Sequence, residues 1–207
     1  MNLMTCLLCG CALLAGMTIP RMVQDQPPGE SGSDDMAKMM EAWMKTASPG
    51  EHHGHLKPLA GAWDLAGKFR MGPAAPWTES KSRSKAEWIL GGRFLTQTIV
   101  GEPMEGMPGP FEGFGVVGYD NIKGKYVSVW MDNMGTMMMV SEGTCDDEGQ
   151  TITFVSEPYQ NPFTGQKTRL KSVYRIVSND KYVLSMYEPG PDGKEYLGME
   201  LTHTRRR

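Results

Sequence analysis

The densest group of ligand-capable side chains in the chain is Glu51, His52, His53 and His55, a carboxylate and three imidazoles within five consecutive positions. Such a donor set suits zinc or copper. A closed shell needs ligands from a second segment, and no Cys, Asp or further His group stands at ligand spacing from this one. His52, His53 and His55 therefore read as surface or capping residues before a helical turn, and no metal is expected. Methionine is the second soft donor: there are 18, with Met131, Met134, Met137, Met138 and Met139 around one turn. Consecutive side chains of a strand point to opposite faces, so Met137, Met138 and Met139 cannot all face one Cu(I) ion. Adaptable cavity lining is the better use for them, with Met139 as a lining residue.

Gly113, Gly115 and Gly118 spell the Gly-x-Gly-x-x-Gly of a dinucleotide site. That motif works between a strand and a helix N-terminus, whereas Tyr119, Asp120 and Asn121 begin a turn. The glycines read instead as bends that let a barrel strand curve. No Gly-x-Ser-x-Gly elbow occurs. Cys145 lies beside Asp146, Asp147 and Glu148, where a thiolate is disfavoured. No catalytic residue is expected.

What remains is chemistry of binding. Trp63, Leu65, Gly67 and Phe69 share one face of a strand, and that face should point inward. Trp88 and Trp130 alternate with charged or hydroxyl neighbours, and Trp130 with Tyr126 and Ser128 makes the preferred cavity face. Arg93 either lies exposed or meets a ligand carboxylate at the barrel mouth, and Arg175 either snorkels outward or anchors an acidic head group; both are kept in the ligand-binding set. Tyr187 and His203 complete the expected ligand-binding set. Glu142, Arg175, Glu188 and His203 would meet inside a barrel if their registers agree.

These residues need an element pattern to position them, and from Trp63 onward the period is two. Strands are expected over 63–69, 80–89, 94–101, 111–119, 126–132, 136–144, 151–157, 168–178, 182–187 and 196–203, cut by Gly, Asn, Asp and Pro turns. Connectors this short join neighbours antiparallel in chain order. The expected fold is all-β, a single antiparallel up-and-down barrel of about ten strands with a short N-terminal helix. A barrel of that size has room for one small apolar or amphipathic ligand.

Ahead of it, residues 1–19 are nearly all apolar or small, followed at once by Arg21, which reads as a signal peptide or membrane anchor. Cys11 within Leu8, Cys9, Gly10, Cys11 is a candidate lipidation site. Residues 20–47 read as a linker and amphipathic helix, with Met36, Met39, Met40, Trp43 and Met44 on one face expected to pack on the barrel. Residues 48–207 form the barrel domain. An exported monomer or small homo-oligomer is expected. A net charge of −3 without a basic patch in 207 residues argues against nucleic acid.

His53, Leu56, Leu59, Ala60, Gly61 and Trp63 open a pattern continued by Leu90, Gly91, Gly92, Arg93 and Phe94. Gly118 to Asn121, Lys125 to Ser128, Trp130, Asp132, Ser141 to Gly143 and Met186 to Lys194 extend it. In these residues the chain resembles the bacterial family of domain of unknown function 1579, whose activity is unassigned. Gly61, Ala62 and Trp63 also resemble the start of the lipocalin and nitrobindin barrels, which implies a calycin-like fold. Nitrobindin relatives hold haem through a histidine near the end of the last strand. His203 lies in that strand here, although the register puts Met199 closer to the ligand position. The resemblance thus leaves a haem-binding or small-molecule isomerase barrel as one alternative. A copper- or zinc-handling protein and an envelope interaction module are the others.

Overall fold

In the computed structural model, residues 31–103, 109–161 and 165–207 are described. The expected leader with Cys6, Cys9 and Cys11 falls outside them, as do residues 104–108 of the loop after the third strand. Helix α1 spans Ser31–Ala47; the chain through Glu41 belongs to an N-terminal unit and the barrel unit begins at Ala42. Within the barrel unit, Trp43 and Met44 are exposed, so these two do not form the buried helix face expected of them. No helix among the described residues is long and apolar enough to cross a membrane.

Short helical turns follow: α2 (Glu51–Gly54) and η1 (Lys57–Leu59), the latter with Pro58 early in its turn. The strands are β1 (Gly61–Phe69), β2 (Thr78–Ile89), β3 (Phe94–Pro103), β4 (Pro110–Asp120), β5 (Lys125–Asp132), β6 (Met139–Cys145) and β7 (Thr151–Ser156). A small hairpin, β8 (Tyr159–Gln160) and β9 (Lys167–Thr168), precedes β10 (Lys171–Ser178), β11 (Lys181–Pro189) and β12 (Glu195–Arg205). Ten strands close in the order β1-β12-β11-β10-β7-β6-β5-β4-β3-β2, every pair antiparallel, while β8 and β9 pair only with each other. The barrel is therefore an up-and-down meander of the expected size, and closure of β1 on β12 leaves no sheet edge.

Two details depart from the sequence reading. Strand β6 begins at Met139 rather than residue 136, because residues 133–138 form a loop. Asp132 Oδ1 accepts from the Met134 amide and Asn133 N–H donates to the Glu112 carbonyl, which turns the chain out of the sheet. The strand expected over 168–178 is broken, and Leu170 N–H donates to the Ser156 hydroxyl at the break.

The turn after β2 carries three consecutive positive φ angles, Leu90 at 48°, Gly91 at 69° and Gly92 at 81°. Two of these are glycines, which take that conformation without Cβ strain. The main core lies at the end of the barrel where β1 begins. There Leu56 and Leu59, from the helical turns, pack with Trp63, Ala86, Leu95, Tyr126, Ile152 and Tyr182. Each large side chain so buried contributes about 1.5–3 kcal/mol.

Arg205 locks this end. Its guanidinium lies 4.1 Å over the Trp63 ring and donates to the carbonyls of Ala60, Pro58 and Asn179. Trp63 Nε1–H donates to the Leu59 carbonyl at 3.0 Å. Indole, guanidinium and helical turn thus hold one another in place.

Candidate functional site

Cross-strand register tells which side chains point into the barrel. Pairing Trp63 with Ser84, Leu65 with His203, Tyr182 with His203, Gly115 with Trp130 and Trp130 with Met139 puts all of these on the inner face. Residues opposite one another across two strands share a face. The closed end is packed, but the middle and far end are not: Ser82, Gln97, Ser128, Trp130, Met139, Tyr174, Met186 and Leu201 point inward and are only half-buried. Tyr174 is enclosed by the wall, which pushes its phenol up to about 12, yet it keeps accessible surface. An enclosed side chain can stay accessible only if it borders open space. The inner face above the core is therefore not fully covered by side chains.

Gln97 Nε2 on β3 donates across the barrel to the Tyr182 hydroxyl on β11 at 3.3 Å, forming a floor between core and lumen. Against Tyr182 lies the His203 ring, centroids 3.9 Å apart and 16° from parallel. His203 is 1% exposed, and neither ring nitrogen has a hydrogen-bond partner. Burial drives its pKa down to about 3; the Leu201 carbonyl opposes this without reaching hydrogen-bond geometry. His203 is thus a neutral imidazole at ordinary pH, with one N–H donor and one lone pair unused.

A second feature escaped the sequence reading. Strand β2 runs Thr78, Ser80, Ser82, Ser84 on its inner face, alternating with Glu79, Lys81, Arg83 and Lys85 outside. Ser84 Oγ is buried and without a partner. Opposite this ladder, Trp130, Met139, Phe154, Tyr174 and Met186 supply an apolar wall. Trp130 spreads over Gly113 and Gly115, where a Cβ would come within 2.6 and 2.9 Å of its ring carbons. Its indole N–H donates to Asp132 Oδ2 at 2.9 Å. At the open end a bulge at Gly198 brings Tyr196 opposite Glu188, and the Tyr196 hydroxyl donates to Glu188 Oε2 at 3.3 Å.

The expected ligand-binding residues divide accordingly. Trp130 and Met139 are half-buried on the inner face, His203 faces inward but is buried, and Trp88 faces inward near the closed end. Trp63 and Tyr126 face inward but are consumed by the core. Arg175 is exposed on the outer face, because β10 directs Ser172, Tyr174 and Ile176 inward. Tyr187 is also outside, beneath the Lys171 ammonium at 4.8 Å. Arg93 donates to the Ala47 and Leu90 carbonyls, securing the end of α1 instead of a ligand. Glu142 is on the outer face with Lys123 and Lys125 at 2.9 Å, so Glu142, Arg175, Glu188 and His203 do not meet.

The histidines stay near one another, with the His52 and His55 rings 5.7 Å apart, but their nitrogens do not converge on one point. His52 stacks on Tyr119 at 4.2 Å and His53 Nδ1 accepts the Gly50 amide. His55 Nδ1 pairs with the Tyr126 hydroxyl at 2.7 Å, and that hydroxyl also lies 3.2 Å from the His52 carbonyl. Since a phenol carries one proton and the carbonyl only accepts, both contacts are satisfied when His55 Nδ1–H is the donor to Tyr126. Among the described residues no His, Cys, Asp or Glu group is placed to hold a metal ion. Cys145 is half-buried, and burial, then the neighbouring Asp146 carboxylate, raises its pKa.

A neutral imidazole with free nitrogens is the right chemistry for haem iron. Both nitrogens are covered, however, so ligation requires the groups packed on His203 to move aside.

The model of the family described as "Protein of unknown function (DUF1579)" matches residues 48–205. No curated protein matches. Among solved structures, that of Rv2717c from M. tuberculosis is 18% identical, with a TM-score of 0.58, covering 77% of this chain and 100% of that one. A redesigned beta barrel is 14% identical at a TM-score of 0.39, covering 74% of this chain and 96% of its own. The first of these likenesses concerns the fold alone.

Proposed function

The chain belongs to the DUF1579 family, to which no activity is assigned, and from that premise we propose that it is an exported barrel binding one small apolar or amphipathic molecule in its lumen. The observation that carries this reading is the half-buried inner surface above the Gln97–Tyr182 floor, which a solid core would have covered. Trp130, Met139, Met186 and Leu201 give that surface its apolar character, and methionine lets it adapt to its contents. The apolar run over residues 1–19 supports export.

Titration with N-phenyl-1-naphthylamine, an uncharged apolar fluorophore, tests the lumen directly. Fluorescence is expected to saturate at about one probe per chain and to be lost in Ser128→Trp, whose indole would fill the space while the circular-dichroism spectrum is retained. Absence of saturable binding by the wild-type chain sinks the reading. Amino-terminal sequencing of the protein purified from its own cells tests export, and a mature start at residue 1 in the soluble cytoplasm would contradict it.

One observation favours haem as a second reading, namely the neutral, unpartnered His203 beside the lumen. It predicts a Soret band after reconstitution with haemin that His203→Ala abolishes. An unchanged band in that variant removes His203 from the reading.

A further inference from the structure

Two properties of the lumen specify the polar part of what it holds. The first is the spacing of its hydroxyls. Ser80, Ser82 and Ser84 stand at every second position of β2, so their side chains repeat about 7 Å apart up one wall. Ser84 Oγ and both nitrogens of His203 are buried, inward-facing and without partners, on the strands that flank β1. Gln97 adds an amide whose carbonyl oxygen is left over after its nitrogen bonds Tyr182. This polar edge faces the apolar wall of Trp130, Met139 and Met186.

The second property is charge. Among the described strand residues, the cation on an inward-facing position is Arg205, at the closed end, and its donors go to three carbonyls beside the Asp180 carboxylate. Arg70 at the rim is engaged by the Leu197 and Pro73 carbonyls and lies against Trp77 and Tyr196. Lys171 pairs with Glu195 outside, and Lys167 on β9 and Arg169 and Lys194 on connecting segments are exposed. The inward carboxylates, Asp132 and Glu188, already accept from Trp130 and Tyr196. A ligand carboxylate would therefore be desolvated without a cation to meet it, a larger cost than an uncharged hydroxyl group incurs.

Resting on the lumen reading above, we infer that the barrel selects uncharged, hydroxylated amphiphiles, with the hydroxyl edge along Ser80, Ser82 and Ser84 and the apolar body against Trp130 and Met139. Hydroxyls both donate and accept, which matches a serine ladder and a neutral imidazole alike.

Displacement of bound N-phenyl-1-naphthylamine by four probes with the same dodecanoyl or dodecyl chain tests the inference, each used below its micelle concentration. 1-Dodecanoylglycerol is expected to displace the fluorophore at about a tenfold lower concentration than dodecanoate, dodecylammonium or methyl dodecanoate. The double substitution Ser82→Ala, Ser84→Ala is expected to shrink that advantage to about twofold, each concentration being read relative to that of methyl dodecanoate on the same variant. Equal or stronger displacement by either charged probe overturns the inference and leaves the hollow barrel standing, as does an advantage that survives the double substitution. If wild-type chain binds no fluorophore at all, the lumen reading falls and takes this inference with it. Should the double variant fail to fold, the ranking of the four probes on wild-type protein decides alone.

Discussion

The imidazole of His203 lies nearly parallel to the phenol of Tyr182, ring centroids 3.9 Å apart, and the Gln97 amide donates to the hydroxyl of the same phenol. That stack keeps a titratable ring dry, and its pKa of about 3 is far below the 6.5 of an unfolded histidine. The unfolded chain therefore binds the proton first. Stability from this group is complete above about pH 6.5 and falls, by about 1.4 kcal/mol per pH unit, as pH drops from there towards 3. Urea midpoints measured between pH 7 and pH 5 should show this decline, and His203→Leu should flatten it. A smaller slope should remain from His53, whose pKa is also lowered by burial. Glu142, its carboxyl held low by hydrogen bonds from Lys125 and Lys123, titrates below that window.

Ser84→Ala should leave the ligand-free protein as stable as wild type or about 1 kcal/mol more stable, since it removes a buried hydroxyl without a partner. Chemical denaturation measures this. A loss of more than about 1 kcal/mol would mean that the hydroxyl is satisfied within the empty barrel.

Arg205→Lys should cost about 2–4 kcal/mol despite keeping the charge. An ammonium cannot reach the carbonyls of Pro58, Ala60 and Asn179 together or lie flat on Trp63. Thermal unfolding of the variant should begin well below that of wild type, and Arg205→Met should be at least as harmful.

Gly115→Ala should cost about 1–3 kcal/mol and shift Trp130 fluorescence, because the added methyl would come within 2.9 Å of the indole. Adding Trp130→Leu to that variant should recover most of the loss. A loss that persists would place the strain in the backbone.

Cys145 should react with a thiol reagent more slowly in the folded chain than in urea, its thiolate being disfavoured by burial and by Asp146. Equal rates would show that the strand end opens freely.

Much of the fold was legible because alternation and turn residues suffice to place strands, and because Gly61 and Trp63 mark where the helical turns end. The site was legible only where one face was clearly more apolar than the other. On β5, Tyr126, Ser128 and Trp130 were correctly grouped. On β11 both rows are apolar, Tyr182, Leu184 and Met186 against Val183 and Tyr187, so sequence could not say that Tyr187 faces out. Arg175 was left open between the two faces by the same ambiguity in β10, and it lies outside. The hydroxyl ladder of β2 went unread for the opposite reason: serine carries no hydrophobic signal, and only the charges between the serines reveal which row is outside. Arg93 and Arg205 resemble each other as sequence features, and their carbonyl partners come from segments 46 and 145 residues away.

The Gln97–Tyr182 strut acts as a bulkhead. Beneath it sit Trp63, Leu95 and Tyr126 of the core, and on the proposed reading the half-buried inner face above it is what meets a ligand. Descendants of this barrel could exchange one guest for another by changing the upper compartment alone, which is how a shared scaffold can spread through a family without a shared substrate.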